Sequence, residues 1–330
     1  MSDLSNPIFH DADKAREWLE ARIWANGRLC PHCGVVDQST LMQGKSHRPG
    51  LYQCNACREP FTVTVGTLYE RSHVPLHKWL GATHLMMASK KGMSALQISR
   101  MIGVTYKTAW FLCHRIREAL RDGSLAPMGG SGQTVEVDET FIGAKAKNMH
   151  KSRKIRIRQA QGELVDRNSL ASRYLAKTPV QGFLDREQRK VRATVIANVK
   201  RETLQERVLT QVERGSHVYT DQAVTYTALQ ENYVHQFVNH MESYVEGRVH
   251  TNGLENFWSL LKRGLHGTYV AVEPFHLHRY IDEQVFRYNN RATKENPLND
   301  SDRFLLAMHQ VVGKRLTYAE VTGKVGETPF

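Results

Sequence analysis

Two C-x-x-C pairs constrain this chain more than any other feature. Cys30-Pro31-His32-Cys33 and Cys54-Asn55-Ala56-Cys57 are separated by 20 residues. Each pair can donate two thiolates from one tight turn, and four thiolates complete a closed tetrahedral zinc site. The intervening segment carries Gly44, Pro49 and Gly50, as a ribbon of hairpins would. We therefore expect one structural Zn²⁺ held by Cys30, Cys33, Cys54 and Cys57, with His32 on the knuckle surface. A redox role for two pairs at this spacing is the weaker alternative. Such an ion folds a small module and does not by itself imply catalysis. The N-terminus, polar and acidic from Met1 to Trp18, lacks a basic segment followed by an apolar run, and no apolar stretch is long enough to span a bilayer. The expectation is a cytoplasmic, nucleoid-associated protein with no membrane partner.

The flanking sequence reads as a DNA-binding region. Residues 11–24 predict a short amphipathic helix, and Phe61-Thr62-Val63-Thr64-Val65 alternates like a strand. Pro75 opens a helix running to Lys90, Ser94 caps one from Ala95 to Ile102, and Gly103-Val104-Thr105 turns the chain into a third from Tyr106 to Leu120. Two helices joined by a short turn containing glycine read as helix-turn-helix. Lys107, His114, Arg115 and Arg117 lie on the third helix, where Lys107, Arg115 and Arg117 are candidates to contact DNA. The bland alternative is a three-helix bundle with solvated charges. With 45 Lys and Arg against 33 acidic residues, the formal charge is +12, a balance that suits a polyanion. Residues 122–132, rich in glycine and serine, read as a linker. Residues 144–158 then carry seven cations and no acid, among them Lys145, Lys151 and Lys154. This basic insertion, 144–178, is either a phosphate-binding segment or a solvated charge run.

Beyond the linker the pattern becomes mixed α/β. Thr134–Ile142, Val180–Leu184 and Val191–Val199 predict strands, Glu202–Val212 a helix, and Ser216–Thr220 a further strand ending at Asp221. On the first strand Glu136, Asp138 and Thr140 share one face, with Val135, Val137 and Phe141 on the other. An acid on a strand destined for burial is costly unless a cation compensates it. Asp221 serves equally well as a helix N-cap. Glu255 follows after 33 intervening residues, and Lys262 lies two helical turns further on, on the same face. Asp138, Asp221 and Glu255 are thus candidate ligands for divalent ions held against a phosphate backbone. For Glu255 there is a competing reading, because Asn252-Gly253-Leu254-Glu255 also fits Asn252 as N-cap with Glu255 closing a capping box. Leu254, Phe257, Trp258, Leu261 and Leu265 form an apolar stripe; Asn252, Glu255, Ser259 and Lys262 form a polar one.

Four segments together carry a family resemblance. They are the paired knuckles with Phe61-Thr62-Val63-Thr64-Val65-Gly66-Thr67; Val137-Asp138-Glu139-Thr140-Phe141-Ile142-Gly143; His250 to Gly267, which reads H-x-N-x-x-E-x-F-W-S-x-x-K-R-G; and Phe286-Arg287-Tyr288-Asn289-Asn290-Arg291. The chain resembles bacterial insertion-sequence transposases of the DDE type, in the group with an N-terminal zinc ribbon. The resemblance implies a ribonuclease H-like catalytic domain in which Asp138, Asp221 and Glu255 hold two Mg²⁺ or Mn²⁺. It implies that Lys262 and Arg263 contact DNA, and that Asn252 stands in reserve as the third ligand, since some members of the group use Asn there. Partners would be the terminal inverted repeats and target DNA, bound by a homodimer or higher assembly. The expected organisation is a helix and zinc ribbon at 1–70, helix-turn-helix at 71–121, linker at 122–132, catalytic domain at 133–295 and a C-terminal extension at 296–330. Two competing readings are a ribonuclease H-like nuclease or resolvase that only hydrolyses, and a non-enzymatic regulator using the ribbon and helix-turn-helix alone.

Overall fold

In the computed structural model, the described residues are 4–121, 123, 126–143, 150–152, 155, 177–221, 226, 229, 232–237 and 250–324. The chain divides into two compact units. The first comprises residues 1–121 and 290–330, the second 122–289.

In the first unit, helix α1 (Ala12–Ile23) starts at an Asp11 cap whose carboxylate accepts from the Asp13 and Lys14 amides. A three-stranded antiparallel sheet follows in the order β1 (Ser39–Leu41), β2 (Tyr52–Cys54), β3 (Pro60–Phe61). The strand expected through Val65 stops at Phe61. Thr62 to Gly66 turn back instead, with the Val65 amide donating to the Thr62 carbonyl. The three helices fall where capping chemistry places them: α2 (Leu76–Ala88), α3 (Ala95–Ile102) and α4 (Tyr106–Ala119). Ser94 and Thr105 cap α3 and α4 through their hydroxyls, and Gly103 takes the left-handed conformation (φ 62°) that ends α3.

The residues expected to form an extension are part of this unit's core. On helix α8 (Asp300–His309), Phe304 stacks on Trp18 at 5.5 Å and meets Phe9 and His84 edge-on. The Tyr69 hydroxyl donates to the Met308 sulfur, and the Leu68 amide to the Val311 carbonyl.

The second unit is a five-stranded mixed sheet in the order β6-β5-β4-β7-β8. Its strands are β4 (Thr134–Gly143), β5 (Lys177–Asp185), β6 (Lys190–Val195), β7 (His217–Thr220) and β8 (Val234–Phe237). β4, β5 and β6 form an antiparallel meander; β7 lies parallel to β4, and β8 parallel to β7. Both faces are covered. On one, helices α6 (Asn252–Gly264) and α7 (Leu277–Asn289) pack Leu254, Phe257, Trp258, Leu261, Ile281 and Val285 against Val180, Leu184, Val191 and Ala193. On the other, α5 (Arg201–Gln211) packs Leu204 and Val208 against Val135, Val137, Phe183 and Val218. The period-2 alternation of β4 and β5 selects these two sets. The end of the expected linker is fixed here rather than free: Met128 is buried, and the Gly129 and Gly130 amides donate to Asp185 Oδ2 and Ser216 Oγ.

Candidate functional sites

In the ribbon, Cys30 and Cys33 sit in one turn and Cys54 and Cys57 in another. Each turn closes on the residue after its second cysteine, Gly34 (φ 77°) or Arg58 (φ 65°), whose amide donates to the carbonyl of the first cysteine. The four sulfurs lie within 4.8 Å of one another, with Cys30–Cys57 at 3.7 Å and Cys33–Cys54 at 3.6 Å. A tetrahedral zinc with Zn–S of about 2.3 Å has sulfur–sulfur edges of about 3.8 Å, so the quartet fits that ion. The backbone amides of Cys57 and Ala56 pull the Cys54 thiol down to about 6, while burial and the neighbouring thiols push Cys57 up to about 12, so the quartet's negative charge gathers on Cys54. His32 is exposed and stands outside the quartet.

A second site is assembled on β4. Extending the parallel register from the Glu136–Tyr219 pair by two residues sets Asp138 opposite Asp221. Burial, then the negative charges of Asp221 and Glu139, push the Asp138 carboxyl up to about 7. On the opposite face of β4, Glu139 is also raised to about 7, chiefly by burial. It accepts from the Tyr226 hydroxyl and from Gln181 Nε2, and it feels Asp221 as well. Three carboxylates lie close enough here to raise one another's pKa, an electrostatic condition that a bound cation would relieve.

Helix α6 approaches this strand closely. Glu136 Oε2 accepts from the Leu254 amide at 3.0 Å, and the Trp258 indole donates to Asp138 Oδ2 at 2.8 Å. These contacts join residues two apart on a strand, about 6.6 Å, to residues four apart on a helix, about 6 Å. Strand and helix therefore advance in step. Two glycines permit the approach. A Cβ on Gly182, the β5 partner of Asp138, would lie 2.6 Å from the Trp258 ring, and one on Gly253 would lie 2.2 Å from Leu184.

The placement of Glu255 follows. Helix α6 begins with Thr251 at its N-cap, without a side-chain capping bond, and Asn252 is its first residue. The capping-box reading is thereby corrected: Asn252 is not the N-cap and Glu255 does not close a box, because the Glu255 amide that Asn252 would have capped donates to the Thr251 carbonyl and the Leu254 amide to Glu136 on β4. Glu255 and Asn252 are both exposed, one turn apart on the face that continues to Lys262. Lys262 is half-buried. Burial lowers its pKa, while attraction to Asp138 acts the other way. Among the described residues, only the cysteine quartet brings three or more such ligands within 4.8 Å of one another, so the carboxylate site is more open than the ribbon site.

The expected DNA contacts divide. On α4, Arg115 and Arg117 are buried, 5% and 1% exposed. Arg115 donates to the Leu68 and Glu70 carbonyls and lies over the Trp79 ring. Both residues are structural here, a correction to their reading as DNA contacts, because α4 is buried on all sides from Leu112 to Arg117. Lys107 is exposed at the start of α4, over the Tyr318 ring at 5.0 Å. Beside it Tyr106 is 57% exposed, a residue that sequence reasoning passed over although its place just after the turn marks it. Arg263 and Lys151 are exposed; Lys145 and Lys154 lie outside the described residues.

Comparison with known proteins matches both regions of the chain to transposase domains. Residues 129–289 match the ISXO2-like transposase domain, and residues 10–59 the transposase zinc-ribbon domain. A protein in transposable element ISH50 of Halobacterium salinarum is 30% identical over 246 residues, covering 73% of this chain and 79% of that protein. A transposase-like protein of Haemophilus influenzae is 32% identical over 106 residues, covering 32% of this chain and 85% of that protein. A chain from the simian T-cell lymphotropic virus intasome in complex with PP2A regulatory subunit B56 gamma aligns at 12% identity and TM-score 0.30, over 64% of this chain and 70% of that one. That likeness is too weak to carry an argument.

Proposed function

Because this chain belongs to the insertion-sequence transposases that join a zinc ribbon to an ISXO2-like transposase domain, we propose that it cleaves DNA at insertion-sequence ends and joins them to a target by metal-dependent phosphoryl transfer. The observation that carries this reading is the nearness of Asp138 on β4 to Asp221, which follows the end of β7 and whose charge raises the Asp138 carboxyl, with α6 fastened to β4 through Glu136 and Asp138. The strand order, a meander followed by two parallel strands, supports a ribonuclease H-like fold.

Asp138, Asp221 and Glu255 would hold two Mg²⁺ or Mn²⁺. Both Asp138 oxygens already accept one hydrogen bond, from Trp258 and from the Glu139 amide, which fixes the carboxylate plane and leaves a lone pair on each for a cation. When bound, such ions activate the attacking hydroxyl and stabilise the leaving oxygen. Ions about 3.5–4 Å apart share ligands in part only, which suits carboxylates spread wider than the cysteine quartet. Lys262, drawn toward Asp138 and flanked by exposed Arg263, would bind the phosphate being attacked. The ribbon would hold one structural zinc. Tyr106 and Lys107 at the start of α4 would read the terminal repeats, Lys151 and the other basic residues of the insertion would bind backbone phosphates, and two DNA ends would call for a dimer or higher assembly.

The test is strand transfer in vitro with a pre-cleaved end and Mg²⁺. Glu255→Gln is expected to abolish joining while DNA binding is retained. Full activity in Glu255→Gln, with loss in Asn252→Ala, would transfer the third-ligand role to Asn252.

A further inference from the structure

Glu136 is 1% exposed, on the same face of β4 as Asp138 and two residues before it. Both its oxygens are engaged by protein groups. Oε1 accepts from Arg186 Nε at 2.7 Å, and Oε2 accepts from the Leu254 amide at 3.0 Å. Arg186, on the turn between β5 and β6, also donates to the His250 carbonyl at 2.6 Å, two residues before α6 starts. It lies over the Tyr219 ring of β7 at 4.8 Å. The N-cap of α6 supplies no side-chain acceptor, although Thr251 is buried. A helix end buried without a partner is unstable, and here the partner comes from the sheet.

Resting on the catalytic reading above, we propose that Glu136 is a positioning residue. It caps α6 from outside the helix and, with Arg186, sets where Glu255 stands relative to Asp138 and Asp221. Glu255 directly follows the capped Leu254, so a shift at that amide moves the third carboxylate by a similar distance. Gly253 belongs to the same device. A Cβ there would come within 2.9 Å of the Glu136 carboxylate. Glu136 is no ligand itself, since its oxygens face Arg186 and the helix end.

The experiment measures Mn²⁺ binding by calorimetry to the full-length, zinc-loaded protein. The variants are Glu136→Gln, Glu136→Asp, Glu255→Gln and the double variant Glu136→Gln/Glu255→Gln. Groups that orient metal ligands typically change affinity by about 10- to 100-fold when removed. We expect Glu136→Gln to weaken Mn²⁺ about tenfold and Glu255→Gln at least as much, with the double variant no weaker than Glu255→Gln alone. Glu136→Asp keeps the charge for Arg186 but draws the carboxylate back by one methylene, and it should resemble Glu136→Gln. Wild-type binding in Glu136→Asp would show that charge alone matters and would overturn the proposal. Equal loss from Glu136→Gln in both backgrounds would overturn it too, because Glu255 would then not be the route. Unchanged binding in Glu255→Gln alone would overturn the catalytic reading of Glu255 and this proposal together, and is recognisable by that single variant.

Discussion

The ribbon and the carboxylate site are assembled in opposite ways. In the ribbon, C-x-x-C delivers its two sulfurs from one turn, so only two local turns must meet. At the carboxylate site, Asp138 on β4 and Asp221 just past the end of β7 come from distant stretches of the chain, and α6, which carries Glu255, is fastened to β4 by two hydrogen bonds. The first site is closed within one small module, and the second is open. The difference teaches that a metal site's legibility tracks how locally its ligands are held.

Removing zinc should produce the largest effect. Structural zinc contributes about 10 kcal/mol or more in small modules. Cys54→Ser is therefore expected to unfold the ribbon and drop bound zinc below one ion per chain by elemental analysis, whereas omitting Mg²⁺ leaves the far-UV circular dichroism unchanged. A Mg²⁺-free protein that loses structure like the zinc-free one would erase the distinction.

Next comes Asp138→Asn. Joining should fall at least about 10³-fold, comparable to losing a principal electrostatic stabiliser, while the metal-free protein becomes more stable. Raised from 3.8 to about 7, the wild-type carboxyl stabilises the fold fully below about pH 4 and loses that contribution as pH rises through 7. Melting curves at fixed zinc should therefore separate variant from wild type at pH 8 and converge near pH 4. A variant less stable than wild type at pH 8 would contradict the crowding of charge described here.

Gly182→Ala is a smaller perturbation, at about 1–3 kcal/mol for overpacking. Its methyl would press on Trp258 and loosen the indole bond to Asp138. Lower activity with intact zinc content is the expected result. Smallest of all is Arg58→Gly. Relief of the left-handed conformation, offset by backbone entropy, leaves roughly 0.5 kcal/mol of stabilisation. It should show as a slightly higher melting temperature, and a clear fall would mean that the Arg58 side chain matters.

How much was legible follows the same line. The knuckles, the capped helices α3 and α4 and the strand–helix order are written in turn residues and in periods of 2 and 3.6, and these emerged from sequence. Glu136 was recognised as facing with Asp138, but its partner Leu254 lies 118 residues away, and no local pattern reports such a bond. Arg115 and Arg117 looked like DNA contacts because a cation on a helix reads as solvated unless a carbonyl far along the chain, such as Leu68, receives it. Residues 296–330 carry no motif tying them to the start of the chain, yet Phe304 completes that core.

That last feature bears on synthesis. The first unit is drawn from two stretches, 1–121 and 290–330, and the whole second unit is translated between them. While the ribosome passes through the sheet, the partners of Phe304 (Phe9, Trp18 and His84) have nothing to close on. A chain cut at Asn289 would keep all five strands of the sheet but lack Phe304, so the first unit would lose the ring on which Phe9, Trp18 and His84 pack.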